Sequence, residues 1–195
     1  MDLAEYFKAE FAEHSDVARR SEAALSGAFA ELVRACVKSV RGGGKLMFFG
    51  NGGSAADAQH LATELTIRYR SDRAAIAAIA LTTDGSALTA GGNDLGFDRV
   101  FARQIEALGR QGDVAIAMST SGKSPNVIAG LKQAKAMGLV TVAFGGSGGG
   151  EMAGLADHLL AVPSATAARI QEMHIVLGQM LCGALEIELG LARSR

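Results

Sequence analysis

The sequence predicts an α/β fold: one domain on a mostly parallel sheet with helices on both faces. Three observations carry this. Short apolar runs alternate with helical patterns along most of the chain. The runs are continuous rather than alternating, as expected of strands covered on both sides. Two of the runs lead straight into turns rich in glycine, serine and asparagine, with a helical pattern behind each.

Residues 1–41 read as helix, as two segments, with Leu25, Phe29, Leu32, Val33, Cys36 and Val37 at helical spacing. Arg41-Gly42-Gly43-Gly44 ends this region. The α/β core then runs over 45–191. Lys45–Gly50, Ala75–Leu81, Asp113–Ser119, Leu139–Phe144 and His158–Val162 are the five strand candidates. Ser54–Tyr69, Asp98–Leu108, Pro125–Met137 and Thr166–Leu191 are helices. The last helix is apolar on more than one side, which points to a partner surface as well as a core, and hence to an oligomer.

The 195 residues suffice for one domain, read as 1–195. With 49% hydrophobic residues and a formal net charge of −1, the chain has an ordinary globular composition and no electrostatic footprint for nucleic acid. The cluster Arg68, Arg70, Arg73 reads as a solvated loop. Cys36 and Cys182 fall in apolar helical patterns and read as buried free thiols, which fits a reducing compartment. The start MDLAEYFKAEFAEH has no signal-peptide pattern. No apolar run approaches the roughly 20 residues of a membrane span. A cytoplasmic location is expected.

The chemistry gathers at two strand ends. Gly50-Asn51-Gly52-Gly53-Ser54 follows the first strand, and Ser119-Thr120-Ser121-Gly122-Lys123-Ser124 follows the third. Glycine allows close backbone approach, hydroxyls donate, and a helix N-terminus favours an anion. Either turn alone also reads as an ordinary helix cap. Two at corresponding strand ends favour an anion site, and the pattern is neither a Walker loop nor GxGxxG. A sugar phosphate fits better than a nucleotide. His60 and Glu64 are one turn apart on the helix behind the first turn, which suits two metal ligands, an acid–base group with its partner, or a local helix pair. Asp84 either approaches this site or caps the next segment. His174 reads as a helix-packing histidine, and His14 and His158 as surface or strand-start residues.

GNGGSAADAQH, ALTTD, GGNDLGF, STSGKS and RIQEMH, in this order, resemble the sugar isomerase (SIS) domain family, and within it the phosphoheptose isomerases. The resemblance implies a five-stranded parallel sheet between helices, assembled as a homotetramer with sites at subunit interfaces. It implies conversion of sedoheptulose 7-phosphate to D-glycero-D-manno-heptose 7-phosphate, the first step toward ADP-heptose for lipopolysaccharide or related glycans. By motif match, Ser119, Thr120, Ser121 and Ser124 hold the phosphate. Asn51, Gly52, Gly53, Ser54, Asn93, Asp94 and Gln171 line the substrate. Glu64 is the base of an enediol-type path. Zinc is implied at His60, Glu64, Gln171 and the eighth residue beyond it.

That eighth residue is Gln179, where the family carries a histidine that is both zinc ligand and second acid–base group. A carboxamide has no proton to shuttle near neutral pH and is a poor zinc donor. On a helix, position 179 lies roughly 80° from 171 and position 174 roughly 60° to the other side, so His174 is no simple replacement. Gln179 favours one other class of SIS protein, a non-enzymatic tetramer that binds the bacterial replication initiator; His60 and Glu64 disfavour it. A third class, a sugar-phosphate-sensing SIS module, usually accompanies a DNA-binding domain, for which the chain has no room.

Overall fold

The computed structural model describes residues 1–192. Five strands form one parallel sheet: β1 (Leu46–Gly50), β2 (Ala78–Ala80), β3 (Val114–Ser119), β4 (Val140–Gly145) and β5 (His158–Ala161), in the order β2-β1-β3-β4-β5. Six α-helices accompany them: α1 (Leu3–Arg41), α2 (Gly53–Thr66), α3 (Gly85–Leu95), α4 (Val100–Leu108), α5 (Pro125–Ala136) and α6 (Ala167–Glu188). The α/β expectation and the five strands hold.

Every residue of β1 and β3 is buried, because side chains on both faces are covered. Leu46 and Phe48 point with Ile116 and Met118 into a core shared with α1, α2 and α6. Met47 and Phe49 point the other way, with Ala115 and Ala117, toward α4 and α5. This alternation turns a continuous apolar run into two cores. Gly130 on α5 lies against the Phe49 ring, where a Cβ would clash, so that helix approaches the sheet closely.

The chain winds outward from β1 to β2, then returns to place β3 on the other side of β1. The strand order reverses between β1 and β3. In an open α/β sheet, the crevice outside the carboxyl ends of the strands at such a reversal is where ligands bind. Gly50 at the end of β1 is in register with Met118, one residue before the end of β3. The two polar turns are therefore neighbours at the switch point.

Several element expectations are corrected. The first 41 residues form one helix of 39 residues, not two. No proline interrupts it, and its single internal glycine, Gly27, costs only about 1 kcal/mol. Residues 85–95, not assigned to any element, form α3; Gly85, Gly91 and Gly92 conceal it from propensity. Asp84 caps it by accepting the Ala87 N–H at 2.9 Å, which settles that residue's role in favour of the cap. The helix expected over 98–108 begins with a 3-10 turn at Phe97–Arg99 and becomes α-helical only at Val100. The second strand shrinks to three residues, at the sheet edge beside β1. The last helix ends at Glu188 rather than Leu191. Among the described residues, no helix is long and apolar enough to cross a membrane.

Candidate active site

At the end of β3, three hydroxyls converge. Ser119 Oγ lies 3.5 Å from Ser121 Oγ and 3.4 Å from Ser124 Oγ. Ser119 Oγ also accepts the Gly122 N–H at 3.1 Å, and Ser121 Oγ accepts that of Lys123 at 3.3 Å. Ser124 is the N-cap residue of α5, with proline at the first helical position. Hydroxyl donors at a helix N-terminus suit an anion. Gly122 has φ +64°, and a Cβ there would strike the Gly149 carbonyl, so the turn is braced from behind by the loop after β4. The Glu151 N–H locks that brace by donating to the Gly122 carbonyl at 3.0 Å. Thr120 is half-buried beside these serines, with its carbonyl against Gly146.

At the end of β1, Gly52 takes φ +55° as the N-cap residue of α2. Gly53 is exposed, and a Cβ on it would collide with the carboxamide of Gln171 from α6. Ser54 is buried, and its N–H donates to the Asn51 carbonyl at 3.0 Å. Asn51 makes a reciprocal amide pair with Asn126, each Nδ2 donating to the other's Oδ1 at 2.8 Å. Asn126, buried in the first turn of α5, thus ties the β1 turn to the β3 turn. The sequence did not single it out; only its place two residues after Ser124 hinted at it.

On α2, Glu64 Oε1 accepts a hydrogen bond from His60 Nε2 at 2.9 Å. Asp57, a turn earlier, was also missed, although the spacing Asp57, His60, Glu64 was visible in the sequence. Its Oδ2 is buried without a hydrogen-bond partner among the described residues. Burial holds its carboxyl above the usual carboxylate range, opposed by the nearby His60. Helices α2 and α6 run side by side in the same direction: Gly53 meets Gln171, Gly178 meets Leu61, and Gly183 meets Tyr69. The two helices thus bring Gln171 to the head of α2.

The remaining sequence candidates lie elsewhere. Asn93 and Asp94 are exposed on α3, where Asn93 Nδ2 donates to Asp94 Oδ1 at 2.7 Å. Among the described residues, no hydrogen bond joins them to either turn. Gln179 is half-buried and lines a cavity of about 610 Å³ with Tyr69, Arg70 and Gly183. His174 is wholly buried and lies 3.2 Å from the Gly145 carbonyl through Nε2, a packing role as expected. His14 is half-exposed, 2.8 Å from Glu172, and His158 begins β5. Cys36 and Cys182 are buried free thiols, both pushed up to about 12 by burial first, with Cys182 adding to the rise at Cys36 and Glu64 to that at Cys182. The solvated-loop expectation fails for Arg73, whose side chain is only 2% exposed and paired with Glu186.

Of the metal donors that the resemblance implies, the His60 imidazole and the Glu64 carboxylate are in contact, while Gln171 lies against Gly53 and Gln179 in the cavity beside Tyr69 and Arg70. Among the described residues, no group of three or more histidine, cysteine, aspartate and glutamate side chains lies together. The His60–Glu64 pair by itself is fewer protein donors than a closed structural zinc site uses.

Comparison with known proteins supplies the family and the fold. The SIS domain family profile matches residues 10–146. A phosphoheptose isomerase of Paramagnetospirillum magneticum is 57% identical over 186 residues, covering 95% of this chain and 97% of that protein. The structure of phosphoheptose isomerase from Neisseria gonorrhoeae superposes with a TM-score of 0.89 at 43% identity, covering 95% of this chain and 99% of the other. The structure from Francisella tularensis gives 0.92 at 32% identity, covering 95% and 98%. With two polar turns at its switch point and full-length relatives of this identity, the chain belongs to the SIS domain family and, within it, to the phosphoheptose isomerases.

Proposed function

We propose that the chain interconverts sedoheptulose 7-phosphate and D-glycero-D-manno-heptose 7-phosphate, feeding heptose biosynthesis. One observation carries the reading most: an anion turn and a glycine turn stand side by side at the switch point, with His60 and Glu64 directly downstream.

In this reading Ser119, Thr120, Ser121 and Ser124 hold the phosphate. The binding energy of this remote group orients the reacting carbons. Glu64 takes a proton from the hydroxymethyl carbon beside the ketone and returns it to the former carbonyl carbon. A second proton moves between the two oxygens, leaving an aldehyde at the chain end. Asn51, Gly52, Gly53, Ser54 and Gln171 line the sugar, and Asn93 and Asp94, exposed on α3, would reach it across a subunit interface of the assembly. Zinc held by His60, Glu64 and Gln171, with Gln179 as a weak fourth donor, would polarise the substrate oxygens. Asn126 and Arg73 keep the two turns and the end of α2 in place.

The assembly belongs to the same proposal. The first half of α1 leaves Leu3, Phe7 and Phe11 more than half exposed, and α6 exposes Val176 and Met180. These faces suit further copies of the chain in a cytoplasmic homotetramer. Sedimentation at micromolar concentration should give one species of four subunits; a monomer would remove that part. Gln179 favours a second reading, an SIS protein that binds its sugar phosphate, or a replication initiator, without turnover.

The deciding experiment is turnover of sedoheptulose 7-phosphate by the zinc-loaded protein, with and without a chelator, beside Glu64→Gln. The expected result is aldose phosphate formation that falls by about 10²–10⁴ in the variant. Substrate bound but unchanged by the loaded protein would sink the isomerase reading and leave the binding one.

A further inference from the structure

A buried ion pair stands behind Glu64. The side chains of Arg73 and Glu186 are each 2% exposed, and Arg73 Nε donates to Glu186 Oε1 at 2.9 Å. The rest of the guanidinium faces the end of α2. Nη2 donates to the carbonyl of Glu64 itself at 2.8 Å, and Nη1 to that of Leu65 at 2.7 Å and that of Ala74 at 3.1 Å. Glu186 Oε1 also accepts the Tyr69 N–H at 3.1 Å.

The last carbonyls of a helix have no partner within it. The Ile67 N–H takes that of Thr63, Arg73 takes that of Glu64, and Arg73 and the Ile76 N–H share that of Leu65. A cation at this end also suits the helix dipole. Yet a buried ion pair is weak grounds for stability, since apolar residues of the same volume often serve as well. What apolar residues lack is direction. A planar guanidinium grips two adjacent carbonyls and a carboxylate at fixed angles, which lysine does not reproduce. Gripping the Glu64 carbonyl fixes the backbone from which its carboxylate projects, and Glu186 anchors that grip to α6, the helix that also carries Gln171.

We infer that Arg73 and Glu186 are a positioning pair: together they set the Glu64 carboxylate at its working place beside His60. The inference rests on the isomerase reading for its kinetic consequences. Arg73→Lys keeps the charge and loses the fork. Glu186→Gln keeps an acceptor and loses the counter-charge. Both are assayed below the melting temperature that each shows by circular dichroism.

The expected result is a fall in kcat of about ten- to a hundred-fold. KM and the affinity for inorganic phosphate, read by calorimetry, should shift by less than about two-fold, because the β3 turn is held by its own contacts. A crystal structure of Arg73→Lys should show Glu64 beyond hydrogen-bond distance of His60. Unchanged kcat with a lowered melting temperature would overturn the inference, leaving a merely structural pair. So would an equal loss of phosphate affinity, which would mean general damage. Should the wild-type protein show no turnover, only the isomerase reading fails. The crystal structure then decides alone: a displaced Glu64 supports the inference and an unmoved one overturns it.

Discussion

At position 179 a carboxamide stands where the resembled family has an imidazole, on a helix that runs beside the one carrying His60 and Glu64. The exchange removes a titratable group and a strong metal donor at once. Gln179→His should therefore raise zinc affinity at least about ten-fold, by competition with a chromophoric chelator, and raise kcat with it. No change in either would mean that residue 179 faces only the cavity beside Tyr69 and Arg70. At this scale the sequence was most informative where chemistry is local. His60 and Glu64 are one turn apart on one helix, so spacing alone paired them. Asn126 and Arg73 were hidden because their partners lie 75 and up to 113 positions away, joined only once the chain has folded.

The contact between Gly53 and Gln171 makes a sharper test of how α2 and α6 share the site. A methyl group on Gly53 meets only the end of a flexible side chain, which can swing aside at little cost. Alanine is also a better helix former than glycine, by roughly 0.5–1 kcal/mol. Gly53→Ala should leave the melting temperature unchanged or slightly raised, while kcat/KM falls about ten-fold as Gln171 is displaced. Full activity would remove Gln171 from the site. Among the elements, β1, β3 and β4 were legible because continuous apolar runs between turn signals have few other readings. Helix α3 was not, since it has no buried residue to mark an apolar face and owes its start to one aspartate cap. The single long α1 was misread as two because helical periodicity records the face, not the absence of a break.

Across the whole molecule, the sheet joins chemistry at the strand ends to buried groups beneath it, and His174 is where the two meet. Its ring lies under the end of β4, donating from Nε2 to the Gly145 carbonyl at 3.2 Å, with the Phe144 ring 5.9 Å away. Nδ1 is buried without a partner among the described residues. Burial lowers its pKa to about 4, against a smaller raising effect of the Gly145 bond. The folded protein therefore resists a proton that the unfolded chain takes up near its ordinary value of about 6.5. Stability from this group is complete above pH 6.5 and is lost as the pH falls toward 4, by roughly 3 kcal/mol in all. Other groups add their own acid losses, so the informative quantity is a difference. His174→Gln keeps an N–H for Gly145 but does not titrate. Denaturant unfolding of both proteins should show the wild type losing more stability than the variant between pH 6.5 and 4, with no divergence above pH 7. Parallel curves across that window would mean that the buried imidazole is protonated in the fold, and that the neutral ring assigned to the space beneath Gly145 is wrong.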